Sequence, residues 1–137
     1  LTLLSDGRDF LKTYELLNDN TKRIELFKVK YFLLSRSMEL FLKSLIKFST
    51  GDIVNNNKTH NLIKLYDKVN SVLTLKTEEV ELLENLNDYY PEGKKLLEYS
   101  QVRNESMVLP TLEDMCSLAN KILQEVTKFK DNEATYL

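Results

Sequence analysis

Ile24, Phe27, Tyr31, Leu34, Met38, Phe41, Leu45 and Phe48 recur at alternating steps of three and four residues. That spacing lines one face of an α-helix and cannot line one face of a strand, whose side chains alternate. The seam predicts a helix over residues 22–49, about 40 Å long at ~1.5 Å per residue. Leu42 and Ile46 widen the stripe, so this helix must be buried on more than one side. Leu112, Met115, Ala119, Ile122, Val126 and Phe129 form a second seam near the other end of the chain. Only three Gly and two Pro interrupt 137 residues. A β-rich fold needs turn residues every few positions, so this count favours long helices with few breaks.

The remaining segments fit the same plan. Phe10, Leu11, Tyr14 and Leu17 share a face and predict a helix over residues 6–18. Asn18-Asp19-Asn20 reads as a turn, with Thr21 capping the next helix. Gly51 reads as the left-handed residue that ends the long helix. Thr59 or Asn57 is placed to cap a short helix in which Leu62, Leu65, Tyr66 and Val69 share a face. Thr77 followed by Glu78 and Glu79 predicts another helix start, with acids against the positive end of the helix dipole. Pro91 interrupts or restarts that helix, after which Leu96, Tyr99 and Arg103 share a face. Thr111, with Asp114 three residues on, predicts the cap of the last helix. The expected architecture is all-α: an antiparallel up-and-down bundle of four main helices plus a short accessory one, forming a single domain over residues 1–137 with a frayed tail at 130–137.

Composition narrows the function classes. Nineteen Lys and Arg against 21 Asp and Glu leave a net charge of −2, which excludes a strongly basic nucleic-acid binder and a strongly acidic tail. One Cys allows no internal disulfide, and one Cys with one His allows no zinc cage, so no metal and no cofactor is expected. The apolar runs are far shorter than the ~18 residues of a spanning helix, and the opening Leu1-Thr2-Leu3-Leu4 meets Ser5-Asp6-Gly7-Arg8 at once. No membrane segment or signal peptide is therefore expected, and the cytoplasm is the default compartment. The first residue is Leu, so the chain reads as a fragment or a processed product.

Charge is segregated along the chain. Residues 22–47 hold seven basic residues against Glu25 and Glu39, while residues 76–98 are net acidic. A basic surface for RNA or phosphate is one reading. The other, favoured, is a solvated helix face in which Glu39 pairs with Arg36 and with Lys43 at helical spacing. Cys116 lies beside the last seam and reads as an inert thiol. Tyr89 and Tyr90, beside Pro91, read as core anchors.

Two segments together resemble the HEPN family of nucleotide-binding helical domains. The first is Ser37-Met38-Glu39-Leu40-Phe41-Leu42-Lys43-Ser44-Leu45-Ile46, similar to the family's small residue, Glu, and Lys four later on a central helix. The second is Gly51, a variable loop, then Thr59-His60-Asn61-Leu62-Ile63-Lys64-Leu65, similar to the family's His-Asn/Asp-Leu helix start. Tyr99 to Arg103 is a looser match, in a region where the family often carries an Arg. The resemblance implies an up-and-down bundle, often dimeric, found in ribonucleases of toxin–antitoxin and defence systems, in non-catalytic partners of nucleotidyltransferases, and in nucleotide- or RNA-binding modules. The ribonuclease members carry Arg, four to six residues, then His. Here His60 is the only His, and no Arg precedes it at that distance. Losing a general acid–base group costs about 10²- to 10⁴-fold in rate.

The expectation is thus a non-catalytic HEPN-like domain that binds a protein partner or a nucleotide or RNA, with a site at Arg103, Glu39, Lys43 and His60. A nucleotidyltransferase is one candidate partner. The competing readings are a divergent metal-independent ribonuclease using Arg103 with a non-His base, and a purely structural bundle whose four polar residues brace the helices. A homodimer is also expected, because Leu33, Leu40 and Leu42 add apolar surface beyond the seam of the long helix.

Overall fold

The first helix, α1, runs over Thr2–Asn20, longer at both ends than its periodic core. Asn18-Asp19-Asn20 belongs to the helix instead of forming a turn. The reason is local: the Asn20 Nδ2 donates to the Leu16 carbonyl and the Thr21 hydroxyl to the Leu17 carbonyl, each at 2.7 Å. These bonds satisfy carbonyls that the end of a helix otherwise leaves open. Thr21 therefore closes α1 and does not cap the next helix. A computed structural model describes residues 2–22, 25–51, 60–87 and 110–135, with side chains described from Leu3 to Lys130 within those ranges. Ile24, Asn57, Thr59, Pro91, Leu96, Tyr99, Arg103 and the tyrosines at 89 and 90 lie outside the described residues.

Helix α2 spans Phe27–Thr50, starting five residues later than the seam suggested. A turn replaces its first residues: the Glu25 N–H donates to the Lys22 carbonyl, and the Lys22 N–H donates to Glu25 Oε1. Leu26 then enters the helix with φ 55, a left-handed conformation unusual for a leucine, and without a side-chain cap. Gly51 ends α2 with φ 79, and its N–H donates to the Lys47 carbonyl, as the sequence indicated.

Three further helices follow: α3 over Leu62–Asp67, α4 over Thr77–Asn87 and α5 over Leu112–Thr135. Asn61 caps α3, taking the role assigned to Thr59 or Asn57. At α4, Thr77 is the first helical residue and not the cap; Glu79 reaches back to accept from the Lys76 N–H at 2.8 Å. That is the acidic half of a capping box. Thr111 caps α5 as expected, accepting from the Asp114 N–H at 3.1 Å.

Helix α2 is the hub, packed against α1, α5 and α3, while α3 also packs on α4. Pairings fix the directions. Gly7 lies against Phe41, and Phe10 meets Phe32 edge-to-face, so α1 runs antiparallel to α2. Arg8 reaches Thr127, and Tyr14 shares a groove with Glu113 and Cys116, so α1 is antiparallel to α5 as well. The Tyr31 hydroxyl donates to the Pro110 carbonyl, tying α2 to the start of α5. The described residues thus form an all-α bundle with no strand.

The seam residues from Tyr31 to Leu45 are buried, and Phe27 and Phe48 pack partly buried against the core. Leu33, Leu40 and Leu42 are buried within the single chain, at 8%, 4% and 0% exposure. Their burial removes the ground on which a homodimer was expected. Packing is closest at Gly7, where an added Cβ would fall 2.7 Å from the Phe41 ring. No helix among the described residues is long and apolar enough to cross a membrane.

Candidate functional site

Glu39 and Lys43 stand one turn apart on α2, and the Glu39 Oε2 meets the Lys43 Nζ at 2.7 Å. Both side chains are fully buried. The pairing is the one that helical spacing predicts, but the solvated face is not observed: α2 is covered on the side where these charges lie. Arg36 Nη1 lies 2.9 Å from the other carboxylate oxygen, Oε1. Lys30, also counted among the basic residues of this segment, is buried with its Nζ donating to the Lys22 carbonyl at 3.0 Å. With Lys30 and Lys43 inside, the basic segment does not form one continuous basic surface.

His60 is brought to the same carboxylate from across the loop, its Nδ1 lying 2.7 Å from Glu39 Oε2. Two asparagines hold it there. Asn61 Oδ1 accepts from the Lys64 N–H at 3.1 Å and from Asn87 Nδ2 at 2.8 Å. Asn87 Oδ1 accepts in turn from the Leu62 N–H at 2.8 Å. The last residue of α4 therefore clamps the first turn of α3, and His60 directly precedes Asn61, the cap of that turn. An ionised carboxylate only accepts, so the proton of the His60–Glu39 bond belongs to Nδ1. A neutral His60 then carries its free lone pair on Nε2, on a side chain that is 45% exposed.

Three of the four expected site residues, Glu39, Lys43 and His60, thus form one cluster; Arg103 lies outside the described residues. Arg36 joins them as a partner of Glu39. Sequence reasoning missed the Asn61–Asn87 clamp. Asn61 had a signal, its place in the His60-Asn61-Leu62 segment, whereas nothing around Asn87 marks it as a partner of a residue 26 positions away.

Glu39 lies between the cations of Lys43 and Arg36. The cluster can orient an imidazole through its Nδ1. Among the described residues, no group of three or more His, Cys, Asp and Glu side chains is placed to hold a metal ion. Cys116 sits apart, half-buried in the groove between α1 and α5, where Asn120 Nδ2 approaches its Sγ at 3.6 Å. Burial pushes its thiol pKa up, and Glu15 adds to the rise, so Cys116 stays protonated and unreactive at neutral pH.

No family model, no curated protein and no solved structure matches the chain.

Proposed function

We propose that this chain is a non-catalytic HEPN-like domain that binds a phosphate-bearing ligand, a nucleotide or RNA, at the face carrying His60 and Arg36. The observation that supports this reading is the meeting of Glu39, Lys43 and His60, the residues that carry the resemblance, in one hydrogen-bonded cluster. Glu39 and Lys43 are fully buried, so they position the site and do not touch the ligand. Contact falls to the half-exposed His60 and to Arg36, which is about a third exposed. Arg103, whose guanidinium stays charged at any working pH, suits phosphate binding and suits general-base work badly. The single His and the absence of the Arg-to-His spacing argue against cleavage.

A titration with a mononucleotide and with short single-stranded RNA tests the proposal. His60→Gln and Arg103→Ala are each expected to weaken binding with the RNA left intact. If neither substitution alters binding while His60→Gln lowers the melting temperature, the cluster is a structural brace. If the wild type degrades RNA and Arg103→Ala does not, the ribonuclease reading replaces this one. Binding to a nucleotidyltransferase with no affinity for nucleotide or RNA would assign the face to a protein partner, as part of a toxin–antitoxin or defence-type pair.

A further inference from the structure

Helices α1 and α5 border an open groove of about 770 Å³ that shares no lining residue with the His60 cluster. Tyr14 lies on its floor, with only 4% of the residue exposed. Among the described residues, nothing hydrogen-bonds the Tyr14 hydroxyl. The ring is buried, but the hydroxyl itself is not enclosed, so it opens on the groove and can bond a ligand there. Glu15, Asp19 and Glu113 line the same groove. Two lysines also line it, but the Lys121 ammonium is held by Glu79 of α4 at 2.7 Å, which leaves Lys12 as the lysine beside Glu15 and Asp19.

We propose that this groove binds a linear aliphatic polyamine. Glu15 and Asp19 are four residues apart on one helix. Side chains so placed are neighbours, about 5–6 Å apart at Cβ, a spacing matched by ammonium groups on either end of a three- or four-carbon spacer. The half-buried Cys116 offers a soft, polarisable surface to the methylenes between them. The Tyr14 oxygen can accept from an ammonium of the ligand. The groove's volume lies within the range of small-ligand sites. Its negative field is felt by its own floor: burial raises the Tyr14 pKa, and Cys116, Glu113, Asp19 and Glu15 raise it further. This site is separate from the His60 face, so either proposal can fail alone.

Calorimetric titration of the whole chain with spermidine at low salt tests it. Saturable binding is expected, with butylamine at least about tenfold weaker for want of a second ammonium. Glu15→Gln combined with Asp19→Asn should weaken spermidine by about tenfold or more, since each removes a charged acceptor. Tyr14→Phe should weaken it by about threefold to tenfold through loss of one hydrogen bond. Glu84→Gln, an exposed acid on α4 away from the groove, should leave it within about twofold. Should Tyr14→Phe fail to fold, the doubly substituted variant, altered only at exposed positions, still decides the matter. Non-saturable binding, an equal loss from Glu84→Gln, equal affinity for butylamine, or binding of a lysine-rich peptide in place of spermidine would each overturn the proposal.

Discussion

The Glu39 carboxylate and the Lys43 ammonium meet at 2.7 Å inside the bundle, and neither side chain is exposed to solvent. The two are not equally replaceable. Glu39 also meets Arg36 and His60, so removing Lys43 leaves the carboxylate with two other partners. Removing Glu39 breaks its contacts with Lys43, Arg36 and His60 at once, whereas removing Lys43 breaks only one of the three. Removing one partner of a buried ion pair costs about 3–5 kcal/mol. Glu39→Leu is therefore expected to destabilise the protein by about that much and Lys43→Met by clearly less. Urea unfolding of the two variants checks the order; equal losses would contradict it.

The Gly7 contact yields a second expectation. Alanine is the better helix former by about 1 kcal/mol, so an unhindered Gly-to-Ala change would stabilise α1. Here the new Cβ would lie 2.7 and 2.8 Å from two Phe41 ring atoms and 3.3 Å from the Leu40 Cβ. Overpacking of this kind costs about 1–3 kcal/mol. Gly7→Ala should lower the urea midpoint, and Phe41→Leu should cost less in that background than in the wild type. Additive losses in the double-mutant cycle would place the strain elsewhere.

Tyr31 links stability to alkaline pH. Burial, and then the neighbouring Tyr14, push its pKa up from 10.0 to about 12. The folded state thus holds its proton where the unfolded chain releases it. The stability from this group is fully present below pH ~10 and is lost as pH rises through the folded value. Tyr31→Phe removes the hydrogen bond to the Pro110 carbonyl, costing about 0.5–1.5 kcal/mol near neutrality. It should also flatten the fall in stability between pH 9 and pH 12. Denaturant midpoints across that window provide the measurement.

The asparagine clamp should behave as a unit. Asn61→Ala removes both the cap of α3 and the bond to Asn87, and is expected to cost about 0.5–2 kcal/mol. Asn87→Ala should release the Leu62 N–H and speed its hydrogen exchange. Because His60 precedes this turn, both variants should shift its imidazole resonances in NMR spectra. Unchanged His60 signals would show that Glu39 alone positions the ring.

For the core, Leu34→Ala and Phe41→Ala should each cost about 2–5 kcal/mol, since both side chains are fully enclosed. An unchanged denaturant midpoint for either would count against α2 as the hub.

Much of the helical frame could be read from the chain. The periodic seams place the buried faces of α2 and α5, Gly51 marks the end of α2 and Thr111 the start of α5. These are local properties: a seam states which residues share a face, and a cap depends on residues three or four positions away. The pairing of Glu39 with Arg36 and Lys43 was legible for the same reason. The ends that were misplaced lie where side chains compete with the backbone. Asn20 and Thr21 bond back to carbonyls of α1 and extend it, and a turn from Lys22 to Glu25 delays α2.

Tertiary packing alone decided which polar groups leave water. Helical spacing puts Glu39 beside Lys43 whether or not anything covers them; their burial depends on elements distant in sequence. The same holds for Lys30, drawn inside by the Lys22 carbonyl, and for Leu33 and Leu40, which one chain hides without a second copy. It holds also for His60, which meets Glu39 from 21 positions away in the chain. A residue's helical face is fixed by its own few neighbours, whereas its solvent exposure is fixed by whichever distant segment packs over it, and no period in the sequence records that.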